Sequence, residues 1–494
     1  MLDRFVRKVL VFALLLMVVC LVGCKESEEE NLVLRIYNCQ DYIDEGLDDV
    51  GNKVSTSVME DWAEDYKNRT GKVVTVVYDT FETNETMLNT LKTGKTTYDL
   101  CCPSEYAIQK MIREGMLEKY DYDGEYLYIT NYNDYASPYI KKVFTESGLS
   151  EYAVPYMWGT LGLLYNPEMV DEEDLDSWGA LWDEDYKNLA SAKDSVRDTY
   201  VAGVMYLNHD KLMSEREKYL NGLITSEEYN AFVSNVMNDT SDLEGVAKVL
   251  KEMKENIFGF EVDSGKNDIV TGKIAINVAW SGDAVYSMAT AEEEEEVYLS
   301  YKVPLEGGNV WFDGWVMPKG ANKELAQDFV NFICHPSVAS RNMEYIGYTS
   351  PIAGDEIYEL AYDTYYEEDG GYEIDLTYFF DGTISDEYLE EGKVIFRTSE
   401  RNRGLETQYP TIEVLDRCAI MEDFKDQNDN VLAMWESVKL GEYSIWLTVG
   451  VVSGVVVIIG LGYYIKALKS RRKKNKKLDW WFYGKISRNC CSWN

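Results

Sequence analysis

Asp313 stands between Trp311 and Trp315 in an otherwise apolar run. A carboxylate buried there without a partner would be costly, so a cation is expected beside it, either a ligand or a side chain such as Arg197. Carboxylates set among flat rings suit an organic cation, because aromatic faces attract ammonium groups and also cover methylenes. Asp194 reads on its own as a helix N-cap ahead of an apolar-rich run from Val196 to Tyr206. Chemistry of other kinds has little material. His209 and His335 are the only histidines, which argues against a histidine-rich metal site or a histidine-based acid–base system. No Ser-His or Cys-His pair stands in a recognisable catalytic context. The nine cysteines lack paired CxxC spacing, and the adjacent Cys101 and Cys102 lie in an apolar run where buried thiols are expected rather than a disulfide. These absences argue against an enzyme, and no metal or cofactor is expected.

With 494 residues, 46% of them hydrophobic, the chain can bury a large core and suggests two to four compact units. Its formal charge of −39 argues against nucleic acid, whose phosphates call for basic patches, and favours small cations or simple solubility.

The elements that would position these residues alternate strand and helix, the pattern of an α/β unit with a mostly parallel sheet. Leu32 to Tyr37 is a β-rich run. Val58, Trp62 and Tyr66 form a helix face that Gly71 ends, and Val73 to Val77 make a second strand. Met87, Leu88 and Leu91 mark a second helix. Tyr98 to Cys102 reads as a third strand stopped by Pro103, and Ile108, Met111 and Ile112 as a helix face closed by Gly115. In open α/β sheets ligands sit beyond the carboxyl ends of strands, which here are Asn38 to Tyr42, Thr80 to Asn84 and Ser104 to Tyr106. Two apolar runs, Ala153 to Asn166 with Pro155 and Gly159, and Trp311 to Pro318, are candidates to carry the backbone from one lobe to another. Lys211 to Asp242, Glu292 to Glu296 and Tyr362 to Thr407 read as surface decoration.

Both ends read as membrane segments. Arg4, Arg7 and Lys8 precede an apolar stretch from Val9 to Val22, the form of a secretion signal. It closes in Leu21-Val22-Gly23-Cys24, which resembles the bacterial lipobox and implies lipidation at Cys24; an uncleaved helix is the alternative. Residues 25–31 suit a solvated tether. Ile445 to Ile465 carries no charge over 21 residues, enough at about 1.5 Å per residue to span a bilayer core of about 30 Å. The basic cluster from Lys466 to Lys477 would then stay cytoplasmic, so that the body of the chain faces outward.

Nine segments occur in an order that resembles the spermidine/putrescine-binding proteins of bacterial polyamine importers, over about Leu34 to Lys439. They are Tyr37-Asn38-Cys39-Gln40-Asp41-Tyr42, Thr80 to Met87, Tyr98 to Tyr106, Val154 to Gly159, Trp178 with Leu181-Trp182, Asp194-Ser195-Val196-Arg197-Asp198, Ala279-Trp280-Ser281-Gly282, Trp311-Phe312-Asp313, and Ile346 to Pro351. The resemblance implies a two-lobed α/β periplasmic-binding-protein fold of type II that closes on a polyamine and docks on an ABC permease driven by an ATPase. It implies lobes of 32–157 with 317–350 and of 158–316 with 351–441, with 362–407 an acidic insertion outside the resemblance; the residues themselves add a signal at 1–24, a tether at 25–31, a transmembrane helix at 445–465 and a cytoplasmic tail at 466–494. Carried over by position, Tyr42, Ser104 and Tyr106 line the site from the first lobe. Asp194 or its neighbour Ser195, and Asp198, supply acidic positions from the second, and Trp280, Trp311, Asp313 and Tyr348 complete it. Two positions depart from the family. Cys39 stands where a tryptophan is common, and Met421 falls where a glutamine is expected. A different organic cation or small solute in the same fold, or a membrane-anchored polyamine sensor, are the competing readings.

Overall fold

The computed structural model describes residues 32–48, 51–121 and 129–440, with the isolated positions 461, 466 and 469. The secretion signal with Cys24, the tether and, apart from those positions, the apolar span 445–465 and its basic tail lie outside the described residues. Among the described residues no helix is long and apolar enough to cross a membrane. Two compact units are distinguished, residues 1–432 and 433–494, and all that follows belongs to the first.

The N-terminal series forms as its periodicity predicts. Strand β1 (Leu32–Cys39) leads to helix α1 (Val58–Thr70), where Ser57 and Glu60 form a capping box and Trp62 and Tyr66 are buried. Gly71 ends α1 in the left-handed region at φ 75°, as its lack of a Cβ allows. Strand β2 (Val74–Phe81) pairs parallel to β1 from Leu32↔Val74 to Cys39↔Phe81. Helix α2 (Asn84–Thr93) follows, then β3 (Leu100–Cys101) and α3 (Glu105–Arg113). Strand β3 is shorter than the run Tyr98 to Cys102 suggests. The Asp99 carboxylate takes the Arg35 N–H at 2.8 Å in place of a ladder bond, and Pro103 has no N–H to continue one.

The two candidate crossovers are the longest strands, β4 (Ala153–Tyr165) and, much later, β8 (Gly308–Pro318). Between them lie β5 (Ala190–Lys193), α4 (Val196–Leu207), β6 (Gly259–Glu261), β7 (Ile276–Trp280) and α5 (Ser281–Glu295). The main path of the sheet runs β2-β1-β3-β8-β4-β7-β5-β6. Strands β4 and β8 pair antiparallel from Val310↔Thr160 to Val316↔Ala153; β8 also meets β3, and β4 meets β7. The two long strands thus stitch one set of parallel strands to another. Their register slips between Asp313 and Gly314, a β-bulge of the kind that re-aims a side chain. The bulge falls where Pro155, which cannot donate to a ladder, lies opposite Gly314.

Every residue of β4 is buried, and in β8 all but Asp313 are. Trp62, Trp158, Trp178 and Trp315 are among the largest fully buried side chains. The acidic stretch 362–407 is not mere decoration. Strands β9 (Tyr372–Asp375) and β10 (Ile395–Thr398) form a separate two-stranded sheet, and Leu376, Phe379, Phe380, Val394 and Phe396 are buried with the main core. Its apolar residues are spread singly among carboxylates, which hides them from a reading by composition. The polar region 211–242 is helical, with Leu212, Tyr229, Val233 and Met237 turned inward. Truncating Trp158, which stacks on Phe312 and Phe379, to alanine is expected to cost about 3–5 kcal/mol in chemical denaturation; a cost under about 1 kcal/mol would contradict its place in the core.

Candidate functional site

Four strand ends meet where the parallel sets join: β1 leads to Tyr42, β3 to Ser104 and α3, β5 to α4, and β7 ends on Trp280 just before α5. Trp280 is the one partly exposed residue of β7, as Asp313 is of β8, and Ser104, Tyr106 and Tyr348 also keep some exposure. These side chains form a ring of contacts. Asp313 Oδ2 accepts from the Tyr42 hydroxyl at 2.6 Å. The Tyr42 ring meets Tyr348 edge to face at 5.6 Å, and Trp311 packs on Tyr348 at 5.4 Å. Tyr348 donates to Asp283 Oδ1 at 2.8 Å, and Asp283 Oδ2 pairs with Lys193 Nζ at 3.2 Å. Lys193 lies over the Trp280 ring at 4.5 Å, and Trp280 Nε1 donates to Asp198 Oδ1 at 3.1 Å. Next to Asp198 in sequence, Arg197 stacks over Tyr106 at 4.7 Å. Asn84 donates to Tyr106 and to Ser104, at 3.1 and 3.0 Å, and the Ser104 side chain hydrogen-bonds Asp313.

Of the nine residues expected from the sequence, eight take part in this arrangement: Tyr42, Ser104, Tyr106, Asp198, Trp280, Trp311, Asp313 and Tyr348. The ring is traced without Asp194. Its backbone N–H donates to the Glu261 carbonyl, and the capping role expected of it passes to Ser195, whose hydroxyl accepts from the Asp198 N–H. Arg197 is not the partner of Asp313. Its guanidinium is sandwiched between Tyr106 and Phe424, and Nη2 donates to the Glu422 carbonyl. Burial lowers its pKa, against the pull of Tyr106 and nearby acids.

Sequence reasoning missed Asp283, Lys193, Asn84 and Glu105. Lys193 directly precedes the Asp194 segment, Asp283 directly follows Ala279 to Gly282, and Glu105 lies between two expected residues, so proximity to those segments was the available signal. The glycine at 282 also acquires a reason. A Cβ there would lie 1.9 Å from the Tyr348 ring, a distance no packed pair tolerates. Cys39 is half-buried, and burial together with the Asp313 charge raises its thiol pKa well above the usual value, which disfavours the thiolate. Cys101 and Cys102 are buried free thiols, as expected. Met421 is buried; its carbonyl accepts from Gln109 and its N–H donates to Asn309.

The electrostatics favour a cation. Burial raises the pKa of Asp198, against the hydrogen bonds from Ser195 and Trp280 and the charges of Lys193 and Arg197. Burial likewise raises that of Asp313; the Tyr42 and Ser104 bonds oppose this, and the Asp198 charge adds to it. Each carboxylate has neutral hydrogen-bond donors and no ion-pair partner among the described residues, so an arriving ammonium would relieve the cost of desolvation.

The α/β sheet with two long crossing strands is the two-lobed architecture of periplasmic binding proteins. Residues 61–355 match the family model of bacterial extracellular solute-binding proteins, and the chain belongs to that family. The spermidine/putrescine-binding periplasmic protein of Salmonella typhimurium is 29% identical over 324 residues, covering 65% of this chain and 78% of its own length. The putrescine-binding periplasmic protein PotF of Escherichia coli is 26% identical over 341 residues, 67% of this chain and 80% of that one. Among solved structures, PotD, the substrate-binding protein of the spermidine/putrescine ABC transporter of Streptococcus pneumoniae, is similar with a TM-score of 0.54 and 27% identity, covering 83% of this chain and 99% of that one.

Glu105, buried beneath the site with its Oε2 on the Phe312 N–H at 3.1 Å, has its pKa pushed up to about 8, chiefly by burial. A raised carboxyl pKa stabilises the fold fully below the ordinary value of 4.5, and that contribution is lost as pH rises toward about 8. Glu105→Gln keeps an acceptor for Phe312 but cannot ionise. Its Tm is therefore expected to fall less than that of the wild type between about pH 5 and about pH 8; parallel curves would show that Glu105 carries no such burden.

Proposed function

We propose that this chain is the substrate-binding component of a polyamine ABC importer, a non-enzymatic clamp that captures a spermidine- or putrescine-like cation between two lobes and delivers it to a permease with its ATPase. The observation that carries the proposal is the pair of carboxylates, Asp198 and Asp313, held by neutral donors among partly exposed rings. A polyamine is a string of ammonium groups joined by methylenes, so its host needs acceptors at intervals and apolar faces between them. Asp198 and Asp313 supply charge-assisted hydrogen bonds, roughly twice as strong as neutral ones. Trp280, Trp311, Tyr42, Tyr106 and Tyr348 supply the faces, each adding about 0.5–2 kcal/mol of cation–π attraction according to desolvation. Ser104 positions Asp313, and Asp194 remains an acidic position at the start of α4. A net affinity of about −8 kcal/mol, a micromolar constant, is within reach after ordering costs. The names of the relatives, which bind spermidine and putrescine, support the same ligand class.

The lobes are taken as 32–157 with 317–350 and 158–316 with 351–441, so that β4 and β8 carry the hinge, a closure mode general to periplasmic binding proteins. Export through the N-terminal signal, lipidation at Cys24 and a transmembrane helix at 445–465 would hold the lobes on the outer face of the cytoplasmic membrane, with the basic tail inside. Adding spermidine or putrescine to the full chain is expected to change its tryptophan fluorescence and to saturate in calorimetry, whereas a sugar does neither. Asp313→Asn should weaken binding about 10- to 100-fold, the loss of one charged hydrogen bond, without lowering the Tm of the unliganded protein. Wild-type protein that takes up no polyamine at millimolar concentration would end this reading.

A further inference from the structure

The ring carries three carboxylates, and they are not equivalent. Asp313 and Asp198 have neutral donors and no ion-pair partner among the described residues. Asp283, by contrast, is already served by the chain itself. Lys193 Nζ lies 3.2 Å from Asp283 Oδ2 and 3.1 Å from Glu261 Oε1, and donates to the Val262 carbonyl at 3.3 Å. Its side chain is 1% exposed, and its ammonium sits 4.5 Å from the centre of the Trp280 ring. A carboxylate on one side and an aromatic face on the other is the environment that a ligand's ammonium would seek. Here it is filled from within.

We infer that Lys193 is a tethered ammonium that permanently occupies one of three cation stations, leaving two open, and that the site therefore selects diamines over triamines. The inference rests on the polyamine reading and sharpens it. A third ligand ammonium would have to enter beside Lys193 Nζ, against a like charge and with no further carboxylate of the ring to receive it, Asp194 lying outside that ring at the start of α4, or remain desolvated and unpaired. Lys193 cannot step aside cheaply. It ends β5, whose four residues are all buried, and its departure would strand Asp283 and Glu261 as buried charges. Lys266, 3.9 Å from Asp283 Oδ1 and 2.7 Å from Asp263, reinforces the positive side of this station. A diamine needs only Asp198 and Asp313.

The test compares putrescine with spermidine by calorimetry on the full chain, in the wild type, in Lys193→Met and in Lys193→Arg. The wild type is expected to bind putrescine at least about tenfold more tightly than spermidine. Lys193→Met should shift that ratio about tenfold toward spermidine, and Lys193→Arg, which keeps the charge, should not. A wild type that binds spermidine as tightly as putrescine overturns the inference while leaving the polyamine reading intact. So does a folded Lys193→Met with an unchanged ratio. If Lys193→Met does not fold, the wild-type ratio decides. If the wild type binds neither amine, the functional reading itself fails and the inference falls with it.

Discussion

A carboxylate removed from water must be given hydrogen-bond donors or an opposite charge, and Asp313 has only the Tyr42 and Ser104 hydroxyls. Around that unmet demand the rest of the junction is arranged. The bulge in the β4–β8 ladder falls at Asp313, the one partly exposed residue of an otherwise buried strand. Tyr42, from the loop after β1, and Ser104, at the start of α3, reach it from one set of strands. From the other set, Asp198 is near enough for its charge to raise the Asp313 pKa further. The two acids are not alike: the Asp198 charge makes Asp313 harder to ionise, whereas Asp198 itself feels the nearby charges of Lys193 and Arg197, and neither has an ion-pair partner among the described residues.

The whole-chain charge of −39 is of little help in explaining this. Most acidic side chains are on the surface, where solvent screens them, and their ion pairs with surface lysines contribute little. What distinguishes the junction is that a few charges are buried with chosen partners: Lys193 with Asp283 and Glu261, Arg197 with two rings and a carbonyl, Asp198 and Asp313 with neutral donors alone. Local desolvation, more than the total, sets which ions are welcome.

The α/β architecture was legible because its signals are periodic and local. The Val58, Trp62 and Tyr66 face, the Gly71 stop and the valine run after it each announce an element with few alternatives. The apolar runs around Pro155 and Trp311 were recognisable as crossover segments, and in the structure both are long buried strands. Most residues of the ring lie inside segments conspicuous in the sequence; Asn84 and Glu105 lie inside them too without being singled out, and Lys193 and Asp283 lie one position outside. Their meaning depends on each other, and nothing in the linear chain says that the end of β5 and the start of α5 will touch. The 362–407 stretch was misjudged in the opposite direction: a few buried phenylalanines dispersed among carboxylates outweigh in packing what they lack in number. The placement of Ser195 rather than Asp194 at the cap turned on a single residue of register, which propensity alone does not resolve.

Strand β8 has a bearing on how the chain comes to be folded at all. The first three parallel strands are complete early in the sequence, yet the edge of β3 remains unpaired until Val316 arrives to meet Cys101, and β4 likewise waits for Val310. Contacts so distant in sequence form slowly, because the loop they close must first surrender its entropy. The pairing of Val316 with Cys101 is thus, among the described residues, the strand contact of longest reach along the chain, and it is the one that joins the two halves of the sheet.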